Sequence, residues 1–320
     1  MNNNSSNKEP SSKEVLTNKL AALSPAKRAL LEQRLLQKGK QETAKKSIVS
    51  SRANHDSIPL SFAQQRLWFL DQLIPNTSLY NIPKALRIRG SLNVRALKKS
   101  IDTVVNRHEV LRTTIKTVDG NPMQFIAELG SVGVNVIQVS INDQDTIQSL
   151  ISTETQRPFN LASDLMLRAT LLEIEPTEHI LILVMHHIAS DGWSMEKLFQ
   201  ELIALYNAFS TDSSNPLAEL PIQYADFACW QRQWFTEERL QVQLEYWQKK
   251  LSGMPALIEL PTDHSRPLVQ TFKGDQQKFY INKQLTSKLQ QLSQQNKGTL
   301  FMTLFTAFIA LLARYTDSDD

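Results

Sequence analysis

Residues 181–194, LILVMHHIASDGWS, decide the fold that the sequence predicts. The apolar run that begins at Ile180 ends in two adjacent histidines, His186 and His187. A short apolar run that is rich in isoleucine and valine and bounded by polar residues is typical of a buried strand. Beyond it, apolar residues recur at helical spacing, and Ser194 is placed to cap the first turn. The histidines therefore lie where a buried strand gives way to a loop, where a rigid scaffold can present side chains to a ligand.

The composition is that of an ordinary globular protein, with 41% hydrophobic and 21% charged residues in a chain of 320. This length permits two compact domains or one large one. The formal net charge of +3 is uneven, because residues 1–57 carry eleven Lys and Arg against five Asp and Glu, which leaves −3 for residues 58–320. The basic excess lies outside the predicted globular body, so nothing indicates a nucleic-acid-binding core.

Three features bear on the location of the protein. The single cysteine, Cys229, excludes an intrachain disulfide and a cysteine-based metal site. The N-terminal segment MNNNSSNKEPSSKE is polar, unlike a secretory signal. The longest apolar stretch, residues 300–313, contains two threonines and is too short to span a bilayer. The sequence therefore predicts a soluble, cytoplasmic protein without a membrane partner.

Residues 1–57 are predicted to form a leader outside the folded body. Its first part has the composition of a disordered tail, and residues 15–36 carry a helical pattern in which Ser24-Pro25 begins a second helix. The simpler interpretation is a short helical pair that ends in a linker. The alternative is an amphipathic docking element that positions a neighbouring protein. The basic residues at 38–46 fit a solvated spacer better than a binding patch.

Residues 58–259 are predicted to fold as one layered α/β lobe. Strand and helix patterns alternate along this part of the chain, which is typical of helices packed on a sheet. Helices are predicted at 61–70, 94–106, 145–156 and, with a break near 236, 224–251; strands are predicted at 79–88, 134–139, 165–174 and 180–185.

Residues 260–320 are predicted to form a connector and the start of a second unit. Residues 260–267 contain two prolines and no periodicity, which indicates an ordered connector. A short strand is expected at 278–281, and helices are expected at 285–295 and 300–315. A strongly apolar helix should be covered by other structure, so we expect the second unit to be unfinished at the end of this sequence.

The adjacent histidines permit three interpretations. Neighbours on an extended segment point to opposite faces, so His186 and His187 cannot easily share one metal ion, and metal binding is the weakest interpretation. The second is that both are core residues. Asp191 and Gly192 weigh against it, because an acid and a turn-forming glycine are costly to bury without purpose.

The third interpretation is an acyltransferase site. An imidazole changes its charge near neutral pH, so it can accept a proton from an attacking amine or hydroxyl. No GxSxG elbow is present, and Cys229 lies in a predicted helix rather than at a strand-to-helix turn. With no obvious nucleophile for covalent catalysis, direct transfer between two bound substrates remains.

Five motifs, in order over residues 58–320, resemble those of the condensation domains of non-ribosomal peptide synthetases. Residues 186–192 match HHxxxDG, and SFAQQRLW at 61–68 resembles SxAQxRxW. RHEVLRT at 107–113 resembles RHExLRT, although Ile115 stands where an aromatic residue is more usual. YADFACW at 224–230 and LPTDHSRP at 260–267 resemble YxDFAxW and LPTDxxRP. Outside the HHxxxDG motif, the matching residues are Gln64, Arg66, Trp68, Arg107, His108, Arg112, Tyr224, Asp226, Trp230, Asp263 and Arg266.

The resemblance implies an α/β fold of two lobes that meet in a V. Each lobe is like chloramphenicol acetyltransferase, with a mixed sheet covered by helices. A tunnel between the lobes would admit the 4′-phosphopantetheine arms of an upstream and a downstream peptidyl carrier protein. The implied reaction is amide bond formation, in which the amine of the downstream aminoacyl thioester attacks the upstream acyl or peptidyl thioester. No metal or cofactor of the domain's own is implied.

The resemblance also implies roles for individual residues. His187 would be the catalytic residue and face the tunnel, and His186 would be packed behind it. Asp191 would be structural, in a salt bridge with Arg66, and Gly192 would offer a backbone N–H near the developing oxyanion. The two residues after the glycine are similar to those of the subtype that joins two L-configured residues. These two residues are Trp193 and Ser194.

Motifs that normally follow in the second lobe of the family are missing from this sequence. We therefore expect a lobe, a connector and a truncated second lobe, which alone would catalyse condensation poorly or not at all. One alternative function is that of a non-catalytic fragment that binds a carrier protein or folds only beside the missing half. Another is a coenzyme-A-dependent acyltransferase, because His187 and Asp191 also fit the HxxxD pattern. The resemblance also implies an adjacent adenylation domain as a candidate partner.

Overall fold

The computed structural model describes residues 49–52, 58–140, 143–268, 270, 272, 274–275 and 277–316. They form two compact units, which divide between Gln233 and Trp234. The predicted helical pair of the leader, at residues 15–36, lies outside the described residues. The domain limits at 57/58 and 259/260 stay a prediction.

The first unit is built of strands and helices in alternation, and its predicted elements are present within three residues of their predicted ends. In chain order the elements are β1 (Ile58–Pro59), α1 (Phe62–Leu73), β2 (Asn81–Arg89), α2 (Val94–Arg107), a 3₁₀ turn (Glu109–Arg112), β3 (Thr113–Val118), β4 (Asn121–Ile126), β5 (Asn135–Gln138), α3 (Gln144–Gln156), β6 (Leu167–Glu175), β7 (Glu178–His186), α4 (Gly192–Ser210) and α5 (Tyr224–Trp234).

The main sheet has four strands in the order β2-β7-β6-β5. Strand β7 pairs antiparallel with both β2 and β6, and β5 lies parallel to β6. Strands β1, β4 and β3 form a separate three-stranded sheet. The mixed sheet covered by helices that the resemblance implies is therefore confirmed.

Strand β7 is buried on both faces, which explains why its sequence is a continuous apolar run. Its odd-numbered residues, such as Leu183, lie in a core cluster with the apolar side of α2 and residues of α4. Its even-numbered residues, such as Ile182, lie in a second cluster with Leu67 of α1 and Ile147 of α3. Helices therefore cover both faces, and the sheet rigidly supports the loop that follows His186.

The hairpin of β3 and β4 was not predicted. Its strands are short, and Lys116 to Val118 are exposed, so they lack the alternating apolar pattern of a half-buried strand. The turn between them is Asp119-Gly120, where both residues have positive φ angles, 49° and 79°. An Asp-Gly pair of this kind is a strong hairpin signal, because both central residues of a type I′ turn need positive φ.

The second unit contains helices α6 (Glu237–Lys250), α7 (Lys283–Gln295) and α8 (Leu300–Thr316). The strand predicted at 278–281 is wrong: this segment pairs with no strand among the described residues, and Phe279 and Tyr280 are exposed. A strand needs a partner to satisfy its backbone groups, and the described residues of this unit offer none. Helices α7 and α8 are joined by a hydrogen bond of 2.7 Å between the hydroxyls of Ser293 and Thr303.

No single helix among the described residues is both long enough and apolar enough to span a membrane. Helices α7 and α8 pass that test of length and composition only when taken together, across a bend of 101°.

Candidate active site

The loop between β7 and α4 is held tightly to the sheet. The backbone N–H of His187 donates to the carbonyl of Tyr80 at 2.8 Å, and the N–H of Ala189 donates to the carbonyl of His186 at 3.0 Å. Helix α4 then begins at Gly192. The chain thus turns within a few residues from the central strand into a helix, and the intervening side chains are presented from a fixed backbone.

His186 is buried, with 4% of its surface exposed. Its ring packs edge-on against the rings of Tyr80 and Phe159, and its Nδ1 accepts a hydrogen bond from the N–H of Ile188 at 3.1 Å. Burial first, and then the nearby His187 and Arg168, lower the pKa of His186 from 6.5 to about 4. His186 is therefore neutral at pH 7 and acts as a structural support for the loop.

His187 is exposed on the other side of the chain. This is the division that alternation along an extended segment predicts, with one histidine packed and the other open to a ligand. Its backbone is fixed by Tyr80, while its imidazole is free to contact a substrate. Of the two histidines, only His187 is placed to exchange a proton with a bound molecule.

Asp191 caps helix α4 and does not pair with Arg66, so the predicted salt bridge is wrong. Its Oδ1 accepts hydrogen bonds from the N–H of Ser194 at 2.8 Å and from the Ser194 hydroxyl at 2.7 Å. The hydroxyl of Ser194 is the largest cause that lowers the pKa of Asp191, followed by the Ser194 N–H. Because the first turn of α4 already satisfies this exposed carboxylate, it has no need of a distant cation. Arg66 lies exposed on α1.

Gly192 is the first residue of α4. Within the described part of the chain, its N–H has no acceptor. Unpaired N–H groups at a helix N-terminus carry a partial positive charge, so this one can stabilise an anion. A Cβ built on Gly192 would meet nothing within 4 Å, so local crowding does not require glycine here.

Two other kinds of site are a cysteine nucleophile and a cluster of metal-binding side chains. Burial raises the pKa of the Cys229 thiol, which lies half-buried in α5, so it is a poor nucleophile at neutral pH. In the described ranges, no group of three or more His, Cys, Asp or Glu side chains is arranged to hold a metal ion.

Comparison with known proteins identifies the family. Residues 54–320 match the family model described as Condensation domain. The chain belongs to the condensation-domain family. This is an acyltransferase-type enzyme family, and the match covers the first unit from residue 54 onward and the described part of the second.

Relatives of this condensation domain are peptide synthetases. The chain is 46% identical over 269 residues to a linear gramicidin synthase of Brevibacillus parabrevis, and the match covers 83% of the chain and 5% of that protein. It is 39% identical over 313 residues to the phosphinothricin tripeptide synthetase PhsC of Streptomyces viridochromogenes, covering 96% of the chain and 28% of that protein. The chain thus spans a small part of the length of the curated relatives it matches.

Solved structures agree on the fold. The X-domain from teicoplanin biosynthesis matches with a TM-score of 0.75 and 26% identity, over 84% of this chain and 59% of that one. The first condensation domain of the CDA synthetase matches with a TM-score of 0.67 and 19% identity, over 83% of this chain and 64% of that one. The second likeness, at this identity, bears on the fold alone.

The RHExLRT motif of the condensation domain is joined to helix α4 through Glu201, a residue that sequence reasoning missed. Its two carboxylate oxygens contact Arg107 Nε at 3.2 Å and His108 Nε2 at 2.7 Å. Arg112, at the end of the motif, donates to the carbonyl of Ala127. Glu201 lies on the same helix that Asp191 caps, so the motif and the His187 loop are tied to one element.

The SxAQxRxW motif and the YxDFAxW motif are joined to each other. The hydroxyls of Ser61 and Tyr224 lie 3.0 Å apart. Gln64 completes a capping box, in which its Oε1 accepts from the N–H of Ser61. Trp68 and Trp230 are half-buried and support packing. Asp263 and Arg266, by contrast, are exposed in the second unit.

Arg52 is a second residue that sequence reasoning missed, since it falls in the predicted leader. Its side chain is 6% exposed and lies 2.8 Å from both Glu109 and Asp226. Burial tends to raise the pKa of Asp226, but hydrogen bonds from Gln223 and Arg52, with the charge of Arg52, outweigh it and hold the pKa below its ordinary value. These contacts join Arg52 to the 3₁₀ turn and to α5.

Proposed function

We propose that this chain forms amide bonds in non-ribosomal peptide synthesis. The donor is an acyl or peptidyl thioester on an upstream carrier protein, and the acceptor is an aminoacyl thioester on a downstream carrier protein. Both substrates are held on 4′-phosphopantetheine arms, and both joined residues are L-configured. The observation that carries the proposal is the exposed imidazole of His187 on a loop that the buried His186 and the central strand hold rigidly.

The proposed step needs no covalent enzyme intermediate. The acceptor amine attacks the thioester carbonyl carbon, the C–N bond forms, and the C–S bond breaks. His187 accepts the proton that the amine nitrogen loses and returns it to the departing thiolate. An α-amine has an ordinary pKa of about 7.7–8.0, so much of it is neutral at physiological pH and no strong base is required.

Positioning and charge stabilisation supply the rest of the catalysis. In the tetrahedral intermediate the carbonyl oxygen becomes negative, and the unpaired N–H of Gly192 is the group in this loop suited to stabilise it. Orientation of two bound substrates alone can lower a barrier by roughly 7–11 kcal/mol. We therefore assign two roles to His187, which are to hold the amine and to move its proton.

The test is a condensation assay with two loaded carrier proteins and the complete condensation domain that contains this chain. His187→Ala is expected to lower the rate of amide formation roughly 100-fold or more, in line with the loss of a general base. His264→Ala is the matched control, because His264 is also exposed but lies in the second unit. Near-wild-type turnover by the His187 variant would overturn the catalytic assignment.

The nature of the donor separates the proposal from its alternatives. We expect product from a carrier-bound donor and none when the same acyl group is supplied on coenzyme A. Product from coenzyme A alone would favour the free-standing acyltransferase. Binding of a carrier protein without any product would instead identify a non-catalytic module.

A further inference from the structure

A cavity of about 270 Å³ lies between the His187 loop, the 3₁₀ turn, α4 and the start of α5. Its walls are mainly apolar and aromatic. The larger apolar and aromatic side chains in them are Val110, Leu111, Met185, Trp193, Leu198 and Tyr224, and the polar side chains of Ser190 and Ser194 also line the cavity. All of these residues belong to the first unit.

The cavity adjoins the proposed reaction centre. Met185 and Ala189, which line it, precede and follow His187 by two residues. Trp193 and Ser194, also in its wall, directly follow Gly192 in the first turn of α4. A substrate whose reacting atoms lie at His187 and Gly192 can therefore place a neighbouring group in this cavity.

The size and polarity of the cavity restrict what it can hold. A cavity of about 150 Å³ accommodates a benzene ring, so this one accepts a phenyl or a branched aliphatic group with room to spare. His108 at its edge contacts Glu201 at 2.7 Å, and the exposed Lys197 donates only to the neutral amide of Gln200, at 3.4 Å. A cationic group would therefore lose its hydration here without gaining a free counter-charge, which is costly, whereas an apolar group matches the mainly apolar wall.

We propose that this cavity is the side-chain specificity pocket for an aminoacyl thioester with an apolar side chain of phenyl or branched aliphatic size. The inference rests on the proposed function. Val110, in the 3₁₀ turn, is smaller than the leucine, methionine and aromatic side chains that line the pocket with it, so a larger residue at this position would reduce the volume of the pocket. Trp193, which is 75% exposed, provides an aromatic face at the edge nearest Gly192.

The test measures binding of N-acetylcysteamine thioesters of phenylalanine, leucine and glycine to the full chain by isothermal titration calorimetry. The Kd values of the phenylalanyl and leucyl thioesters are expected to be about tenfold lower than that of the glycyl thioester. Val110→Phe fills the cavity and is expected to raise the phenylalanyl Kd about fivefold or more, with the glycyl Kd unchanged.

Two further variants control this test. Val132→Phe makes the same substitution at another partly buried valine, which lines a different concavity, and should change neither Kd. Trp193→Ala removes a largely exposed side chain, so the fold is retained, and should raise the phenylalanyl Kd roughly threefold through lost ring contacts. The proposal of a specificity pocket would be wrong if the three thioesters had equal Kd values. It would also be wrong if the phenylalanyl Kd did not change in Val110→Phe and Trp193→Ala.

The same variants in the condensation assay separate the two proposals. If selective binding is observed but no amide product forms with any donor, the proposed function fails and a side-chain-binding site stands. If amide product forms and Val110→Phe leaves the preference among phenylalanyl, leucyl and glycyl acceptors and donors unchanged, the pocket fails and the proposed function stands.

Discussion

Asp191 and Asp226 both lie in family motifs near the start of a helix, and both have a lowered pKa, but they reach it by different means. Asp191 is exposed, and among the described residues its side chain bonds only to the first turn of its own helix. The side chain of Asp226 is 3% exposed and is held by Arg52, which is 174 residues away in sequence.

The difference shows that burial, and not the motif, decides which carboxylate needs a distant cation. An exposed carboxylate is stabilised by water and by the nearest N–H groups, so Asp191 is satisfied locally. A buried carboxylate loses its hydration and must gain a charged partner, which is what Arg52 provides for Asp226. The resemblance assigned an ion pair to Asp191, whereas the structure places the buried ion pair at Asp226.

The largest effect that tests this contrast is expected from Arg52→Ala. Removing this cation leaves Glu109 and Asp226 close together in a largely buried site, so the free energy of unfolding should fall by about 3–5 kcal/mol. Arg87→Ala is the control, because Arg87 pairs with Glu178 at the surface and should lose less than about 1 kcal/mol. Urea denaturation measures the loss in free energy of unfolding of both variants. Equal losses in the two variants would show that burial does not distinguish these pairs.

Elements with a strong periodic signal were predictable from the sequence. The run that ends at His186 forms the central strand, and its opposite faces bury alternate residues in two cores, as its unbroken apolar character indicates. The exposure of His187 and the burial of His186 follow from the same alternation. The helix that begins at Gly192 was also expected, although the residue that caps it is Asp191 and not Ser194.

Features that depend on long-range partners were not predictable. Arg52 and Glu201 belong to no motif that the sequence singles out, and their roles arise only when the fold brings Asp226, Arg107 and His108 to them. The strand expected at 278–281 failed for the same reason, since an apolar run becomes a strand only where another strand lies beside it. By contrast, the Asp119-Gly120 hairpin carried a local turn signal that could have been found.

His186 and His187 show the same contrast between a buried and an exposed side chain. The buried His186 gives the second largest expected effect on the free energy of unfolding. The pKa of His186 is lowered from 6.5 to about 4, so below pH 6.5 the unfolded chain binds a proton that the folded chain does not. The free energy of unfolding is therefore highest above pH 6.5 and decreases as the pH falls toward 4. Between pH 7.5 and pH 5 we expect it to decrease by about 2 kcal/mol.

His186→Asn keeps an acceptor for the N–H of Ile188 but removes the titration. The free energy of unfolding, measured by urea denaturation at pH 7.5 and pH 5, should therefore depend less on pH in this variant than in the wild type. The same pH dependence in both proteins would mean that burial does not hold His186 neutral.

The smallest effects concern Asp191 itself, and they decide whether it is a helix cap or a charge partner. Asp191→Ala removes the cap of α4 and should lower the free energy of unfolding by about 1 kcal/mol, whereas Asp191→Asn should be nearly neutral, because Asn is an equally good cap without the charge. Arg66→Ala should change the free energy of unfolding by less than about 0.5 kcal/mol, since this exposed side chain has no ion pair with Asp191 to lose. Urea denaturation of the three variants at pH 7 compares them directly. If Asp191→Asn and Arg66→Ala each cost as much as Asp191→Ala, and the double variant costs no more than either, the two residues form an ion pair in solution and the contrast with Asp226 fails.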